Sequence, residues 1–495
     1  MRRVIETQLK FGQVDISRIK FDLRSRDEIP QLLLGLQSIY CHRPTREAVF
    51  RALEEEMGKQ MDLENGRPGM ELWKILVLGT LRLICRFDYD KLHEMANNHL
   101  ILRQMLGHGA FDQRDLYALQ TLKDNVLLFT PELLDRINQI VIHHGHDVIG
   151  GKAEKGLNAS CDSFVVETNV HFPTDANLLW DALRKMILLT MKLCASIKSS
   201  EWRQGKHHLR KVKGAYDKLR HLKHSSSRNE GLKAQKEQEI RCAHQRYLDI
   251  ARFLLDRVLV TLDAIDTDDT DILKKIDAIE GFAGHAKRQI EQIHRRVIGE
   301  ETIPHHEKVF SIFEPHTEWI SKGKAGVPVE LGLKVCIVKD QFGFILHHRV
   351  MEHQTDDQVA VSIIQETKER FPNLTRCSFD KGFHSPKNQE QLSKLLDQVI
   401  LPRKGKLSAT ALAIETAPEF THFRRKHSAV ESAINALENH GLDCCPDRGV
   451  MGFKRYVGLA ILARNIQLIG VILQKRQLRA MKRRDNWRQR FQLAA

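Results

Sequence analysis

The sequence predicts an α/β protein in three parts: an all-α N-terminal segment, a mixed sheet flanked by helices, and a long α-helical insertion within the sheet-forming chain. Three observations predict it. β-branched and aromatic runs occur at Cys161 to Thr168, from Leu331 to Val350, and as short apolar pieces before Asp380 and at Val399 to Leu401. Between the first two, apolar residues step by three and four. The chain before Gly150 carries only helical periodicity, broken by glycine and proline.

In order, residues 1–150 open with a polar stretch, Phe11 to Ser17, then helices around Glu28 to Ser38 and Thr45 to Met57. Gly66 to Gly69 breaks the chain before an apolar helix, Met70 to Ile84. Asp88 is the expected N-cap for Tyr89 to Asn98, Leu100 to Leu106 runs to Gly107, and residues 111–148 continue helically. Short helices in succession suggest a helix-turn-helix-like bundle, with a buried bundle of no DNA role as the alternative. Gly150-Gly151 is the expected hinge into the sheet-forming segment, 151–175 and 310–474, whose first strand has Asp162 at its start.

The insertion, 176–309, carries two apolar stripes. One is Leu179, Leu183, Met186, Thr190, Leu193 and Ile197; the other is Leu248, Ala251, Leu255, Val258, Leu262 and Ile265. They predict long helices in an antiparallel bundle or coiled-coil arm. Between them, Arg203 to Arg228 is strongly basic, suited to DNA phosphates or to a solvated face. Strand character returns with alternating Leu331, Leu333, Val335 and Ile337, a turn at Asp340 to Gly343, and a return strand from Phe344 to Val350: a β-hairpin. Asp356 is placed as the cap of a helix reaching Phe371. The Asp380 strand, a helix from Gln389 to Leu396, a short strand and the basic loop Pro402 to Lys406 follow. The chain closes with an apolar helix, Val450 to Leu473, and a basic tail, 475–495, containing Trp487 and Phe491; DNA backbone contact and a disordered solubilising tail both fit it.

A net charge of +14 and a sequence pI near 9.3 favour a polyanionic partner. No run of about eighteen uncharged apolar residues occurs, since Val457 to Leu473 contains Arg464 and Asn465, and the N-terminus lacks a signal peptide's apolar core. The expectation is a cytoplasmic protein, nucleoid-associated when on DNA, with no membrane partner. Nine scattered cysteines without C-x-x-C spacing support neither a disulfide framework nor a zinc ribbon. Adjacent Cys444-Cys445 near His440 is a poor metal site.

Three short segments hold the candidate site. Arg424 to Gly441 reads as a helix ended by glycine, with Val430, Ala433, Ile434 and Leu437 on one face and His427, Glu431, Asn435 and Glu438 on another. Asp162 lies on the first strand, and Asp380 ends another strand before Lys381-Gly382. Each has an ordinary reading, as a solvated helix face or a turn former. Together they are three acids on two strands and a later helix.

Those segments carry a resemblance. CDSFVVETNVHFPTD, FEPHTEWISKGKAG, ELGLKVCIVKDQFGFILHH, CSFDKGFHSP and HSAVESAINALENHGLDCCPDRGVMGFKRYVGLAILARNIQ resemble bacterial insertion-sequence transposases of the DDE class. Their catalytic domain has the ribonuclease H-like fold shared with retroviral integrases. GRPGMELWKILVLGTLRLICRFDYDKLHEMANNH is similar to their N-terminal domain. The resemblance implies Asp162, Asp380 and Glu431 as the catalytic and metal-holding acids, and two Mg²⁺ (or Mn²⁺) ions as cofactor. It also implies double-stranded DNA, both transposon ends and target, as partner, bound by a homodimer in a paired-end complex. The wide separation of Asp162 from Asp380 demands the insertion.

The chemistry implied needs such a cluster. Attack on a phosphodiester by water or a 3′-hydroxyl brings anions together, and two cations roughly 3.5–4 Å apart stabilise the attacking and leaving oxygens. Carboxylates suit hard Mg²⁺, and without the ion their mutual repulsion raises their pKa values. The Tyr, Arg and Lys that one branch of these transposases carries around the third acid are replaced here by Arg424, His427 and Glu438. Phosphate contact is thereby left to Lys381, Arg424, Arg425, Lys426 or Asn435. Glu167 and Glu438 are substitute acids, and a DNA-bound regulator without activity or a stand-alone nuclease are the alternative functions.

Overall fold

The computed structural model describes all residues except 1, 2, 7, 61–68, 113, 114, 151–155, 223–228, 322–327 and 493–495, and gives 60 and 488–492 as backbone only. Gly66 to Pro68, Gly151 and Lys223 to Arg228, singled out above, therefore lie outside the described residues. The chain divides into two compact units, residues Met1–Asn169 with Ile320–Ala495, and residues Val170–Trp319.

The first unit opens with seven helices: α1 (Glu28–Cys41), α2 (Arg43–Gln60), α3 (Leu72–Ile84), α4 (Tyr89–Asn98), α5 (Leu100–Met105), α6 (Leu119–Val126) and α7 (Pro131–Val148). Asp88 caps α4 as expected, accepting from the Lys91 N–H, and Thr130 caps α7 through Leu133. Strand β1 (Leu157–Thr168) follows. Four helices then make the second unit: α8 (Asp175–Ser196), α9 (Gly205–His221), α10 (Glu230–Asp263) and α11 (Thr270–Ile293). After them come β2 (Glu318–Ser321), β3 (Val329–Asp340), β4 (Ile345–Met351), α12 (Asp356–Arg370), β5 (Leu374–Phe379), α13 (Pro386–Leu395), β6 (Gln398–Ile400), α14 (Ala409–Thr416), α15 (Pro418–Leu437), β7 (Cys444–Cys445) and α16 (Gly449–Gln492).

The strands form one seven-stranded mixed sheet in the order β2-β3-β1-β5-β6, with β4 pairing β3 and β7 pairing β1. The expected hairpin is β3 and β4. Its turn is locked by Asp340, whose carboxylate accepts the Phe342 and Phe344 N–H groups and meets His146 Nε2 of α7 at 2.7 Å. β1 runs antiparallel to β3 and parallel to β5, in a register that sets Ser160 opposite Ser378 and Cys161 opposite Phe379.

Three expectations need correction. Asp162 is the sixth residue of β1, not near its start: Leu157, Ala159 and Cys161 already point into the core, and pairing with β5 extends the strand through polar Asn158 and Ser160. Asp356 is the first residue of α12, not its cap; Thr355 takes that place and donates its N–H to Gln358 Oε1 at 2.9 Å. Finally, the basic segment after Leu473 is no separate tail, because α16 continues unbroken to Gln492. That stretch lacks glycine and proline and is rich in Lys, Arg and Gln, all good helix formers.

The helices of residues 1–150 share one hydrophobic core with the sheet and α16. The expected boundary near Gly150 thus divides the chain without dividing the core. α16 packs on α1, α3 and α7. Its contact with α1 is backbone to backbone: a Cβ on Gly470 would meet the Gln31 carbonyl oxygen at 1.7 Å, and one on Gly35 would meet that of Ile466 at 2.1 Å. Asn465, fully buried mid-helix, accepts the Ile345 N–H and donates to the Ile345 carbonyl and to Asn138 Oδ1. Its amide satisfies a stretch of β4 backbone as a strand neighbour would. By length and composition α16 is apolar enough to cross a membrane, but most of that apolar stretch is buried within the protein, as in a core helix.

The second unit has its own core, built from the two predicted stripes: Leu179, Leu183, Met186, Thr190 and Leu193 on α8, and Leu248, Ala251, Leu255, Val258 and Leu262 on α10. It is a four-helix assembly, wider at both ends than the predicted 176–309. α9 turns Lys206, Arg210, Lys211, Lys213, Lys218 and Arg220 outward, so the basic run lies on an exposed face.

Candidate active site

Parallel register brings the first two acids together. With Cys161 opposite Phe379, Asp162 stands beside Asp380, which keeps extended backbone geometry before the chain turns through Lys381–Phe383. Neighbouring strands lie ~4.8 Å apart, and paired residues present side chains on the same face. The Ser160 and Ser378 hydroxyls, one step back on each strand, confirm the shared face by meeting at 2.9 Å. Helix α15 covers that face, packing on β1 and β5. Val430 and Leu437 are fully buried beneath it, so Glu431 is aimed along the helix's polar stripe.

Electrostatics register the third acid. Burial pushes the Asp162 carboxyl up to about 6 from the ordinary 3.8, and the charges of Asp380, Asp356 and Glu431 push the same way, against the Ser163 N–H donated to Oδ1 at 2.8 Å. The three predicted acids thus share one field. His427, one turn before Glu431, also feels Asp380 and Glu431, but burial outweighs them and holds its imidazole below the usual value. Its Nδ1 lies 3.0 Å from Ser378 Oγ, while Nε2 is buried with no hydrogen-bond partner among the described residues. Lys339 on β3 ties α15 to the sheet by donating from Nζ to the Ala429 carbonyl at 3.0 Å.

Asp356 is the acid that sequence reasoning missed as a site residue. Its Oδ1 accepts from the Ser163 hydroxyl at 2.7 Å and its Oδ2 pairs with Lys334 Nζ at 3.1 Å. Buried Asn388 donates to the carbonyls of Asp357 and Phe383, and Lys404 Nζ donates to that of Gly382. The turn carrying Asp380 is therefore clamped by α12, by α13 and by the basic loop. A helix-start aspartate after a hairpin is so common that no sequence signal marks this one. The hydroxyls of Ser160 and Ser378 were equally unmarked, being small polar residues beside conspicuous acids, whereas His427 was placed on the polar stripe of Glu431 without its link to Ser378.

The other candidates divide. Arg424 and Asn435 fall on the Glu431 side of α15, seven residues before and four after it, whereas Arg425 and Lys426 project elsewhere. Arg424 approaches Glu415 at 3.8 Å, and Asn435 accepts from Asn439 at 3.3 Å. Lys426 lies over the Phe423 ring. Lys381 is exposed in the turn directly after Asp380. Glu167 is odd-numbered on β1, hence on the face opposite Asp162, and acts instead on Cys444. Glu438 lies in the π-turn that ends α15, where Gly441 takes φ +102°, the left-handed conformation that closes the helix as predicted.

Among the described residues no three His, Cys, Asp or Glu side chains are gathered tightly enough to hold an ion as they stand. The donor set nevertheless fits a hard divalent cation. All three predicted donors are carboxylates, and the burial and repulsion that raise Asp162 are what bound positive charge would relieve. Compared with known proteins, the chain matches no family model, no curated protein and no solved structure.

Proposed function

We propose that the protein is a DDE-type DNA transposase with a ribonuclease H-like catalytic domain, cleaving DNA at its element's ends and joining the 3′-hydroxyl to target DNA. The observation that carries this reading is the parallel register that sets Asp162 beside Asp380 on the face covered by α15, with Asp380 and Glu431, far off in sequence, both pushing the half-buried Asp162 carboxyl up. Asp162, Asp380 and Glu431 would hold Mg²⁺ or Mn²⁺, which when bound supplies positive charge to the attacking and leaving oxygens of the phosphodiester. Asp380 and Glu431 are exposed and open the site towards a large substrate, while Asp162 forms its inner wall.

Lys381, exposed directly after Asp380, and Arg424, exposed on the Glu431 side of α15 two turns earlier, are the cations best placed to position a phosphate. The outward basic face of α9 and the basic end of α16 suit the duplex backbone, whose contact releases counterions and makes binding salt-dependent. A paired-end complex would use two copies of the chain.

The test is cleavage and joining of DNA carrying the element's two ends in the presence of Mg²⁺. Wild type is expected to cut and join; Asp162→Ala, Asp380→Ala and Glu431→Gln are expected to bind DNA without cutting. Hydrolysis without joining points to a nuclease, and salt-sensitive binding without cutting by the wild type points to a regulator. Full activity in any of the three variants removes that acid from the site.

A further inference from the structure

Each of the three acids stands one regular step from a member of a second set of side chains. Ser160 precedes Asp162 by two residues on β1, Ser378 precedes Asp380 by two on β5, and His427 precedes Glu431 by four on α15. Two residues along a strand advance ~6.6 Å on the same face. Four along a helix advance ~6 Å on nearly the same face. The two advances nearly match, so a connection among the members of the second set fixes the spacing of the first.

That connection is present. Ser378 Oγ stands between the other two, 2.9 Å from Ser160 Oγ and 3.0 Å from His427 Nδ1. Ser378 is 4% exposed, too enclosed for solvent to replace either partner. The chain of two hydroxyls and an imidazole thus crosses from β1 to β5 to α15, the three elements that carry the acids. Among the described residues the acids have no such bond to one another, and their like charges repel, so their spacing is set by the packing of α15 on the sheet and by the bonds beside them. Lys339 holds α15 by a main-chain carbonyl and Arg376 of β5 meets Glu419 and the Phe423 ring nearer the helix start; beside the acids, among the described residues, it is the Ser378–His427 bond that ties a side chain of α15 to β5.

We propose that Ser160, Ser378 and His427 are positioning residues that set the separation of Asp162, Asp380 and Glu431 and so determine how tightly the site holds a divalent cation. The proposal rests on the reading of those acids as metal-holding. His427 acts through Nδ1 and the sheet, not by touching substrate through Nε2. Two substitutions separate these roles, because an asparagine amide reaches the place of Nδ1 and a glutamine amide that of Nε2.

The experiment is calorimetric titration of the full-length protein with Mn²⁺, without DNA, alongside thermal melting of each variant. Wild type binds and Asp162→Ala does not. Ser378→Ala and His427→Gln fold but bind about ten- to a hundredfold more weakly, the usual consequence of removing a partner behind a ligand. His427→Asn keeps wild-type affinity, and Ser160→Ala, at the end of the chain of bonds, gives a milder loss and a fallback should Ser378→Ala not fold. Wild-type affinity in Ser378→Ala, Ser160→Ala and His427→Gln, with Asp162→Ala still silent, overturns the positioning role and leaves the metal site standing. Affinity kept by His427→Gln but lost in His427→Asn overturns it too, by assigning the work to Nε2. If wild type binds no Mn²⁺, or Asp162→Ala binds as well as wild type, the metal-holding reading fails and this inference with it.

Discussion

The carboxylate of Asp356 occupies the space that a side chain on Gly382 would need: Oδ2 lies 3.1 Å from the position of a Cβ there. Because the same carboxylate is held by Ser163 and Lys334, it cannot swing aside freely. Gly382→Ala should therefore move the turn that bears Asp380. The expected outcome is a modest stability loss of about 1 kcal/mol in denaturant melts, with a much larger loss in DNA cleavage at unchanged DNA affinity.

Asp162 makes stability depend on pH in a definite direction. Its folded pKa, about 6, exceeds the ordinary 3.8, so between those values the folded state binds the extra proton and stability falls as pH rises. At pH 7.5 without metal, Asp162→Asn should raise the melting temperature, through relief of about 1–3 kcal/mol. The advantage should shrink as pH drops through 6 and be gone below about 4. A constant advantage at every pH would remove Asp162 ionisation as its cause.

Divalent cations should act on the same group with opposite effect. Adding Mg²⁺ at pH 7.5 is expected to raise the wild-type melting temperature, by about 2.7 kcal/mol of stability at a hundredfold excess over Kd, and EDTA should reverse it. Asp162→Asn and Glu431→Gln should respond weakly. An equal rise in those variants would mean that the ion binds elsewhere.

The crossing of α1 and α16 leaves no room for a methyl group, with Gly35 and Gly470 each facing a carbonyl oxygen of the other helix. Gly470→Ala and Gly35→Ala should each cost about 1–3 kcal/mol or more, although alanine favours isolated helices. Chemical denaturation will measure this. A stabilising effect at either site would show that the helices do not approach so closely.

Arg82 and Asp447 form a largely enclosed pair at 3.1 Å, with the Arg82 side chain 5% exposed, its guanidinium over the Tyr89 ring, and Arg455 as a second partner of Asp447. Removing one charge strands the other. Asp447→Ala should cost about 3–5 kcal/mol, and Arg82→Met with Asp447→Leu together less than the sum of the single changes. Additivity in that double-mutant cycle would deny the coupling.

Much of the fold was legible because its signals are local. Alternating Leu331, Leu333, Val335 and Ile337 is a strand wherever it lies, Asp340 to Gly343 is a turn, and the stripes of α8 and α10 are buried as their spacing required. The ends of elements were less legible. Asn158 and Ser160 look like loop until β5 pairs with them, and a basic run after Leu473 looks like a tail although nothing in it breaks a helix.

The candidate site divides along the same line. By itself the sequence determined which acids stand on strands and which on a helix's polar stripe, because periodicity of two or 3.6 fixes a side chain's face from its immediate neighbours. Only the tertiary structure decided that β1 lies parallel to β5 with Ser160 opposite Ser378, that His427 reaches that pair, that Asp356 seats against Gly382, and that Glu167 faces away. Those relationships join residues far apart along the chain, and pairing register and helix docking follow from the packing of the whole core, which no short stretch of sequence encodes.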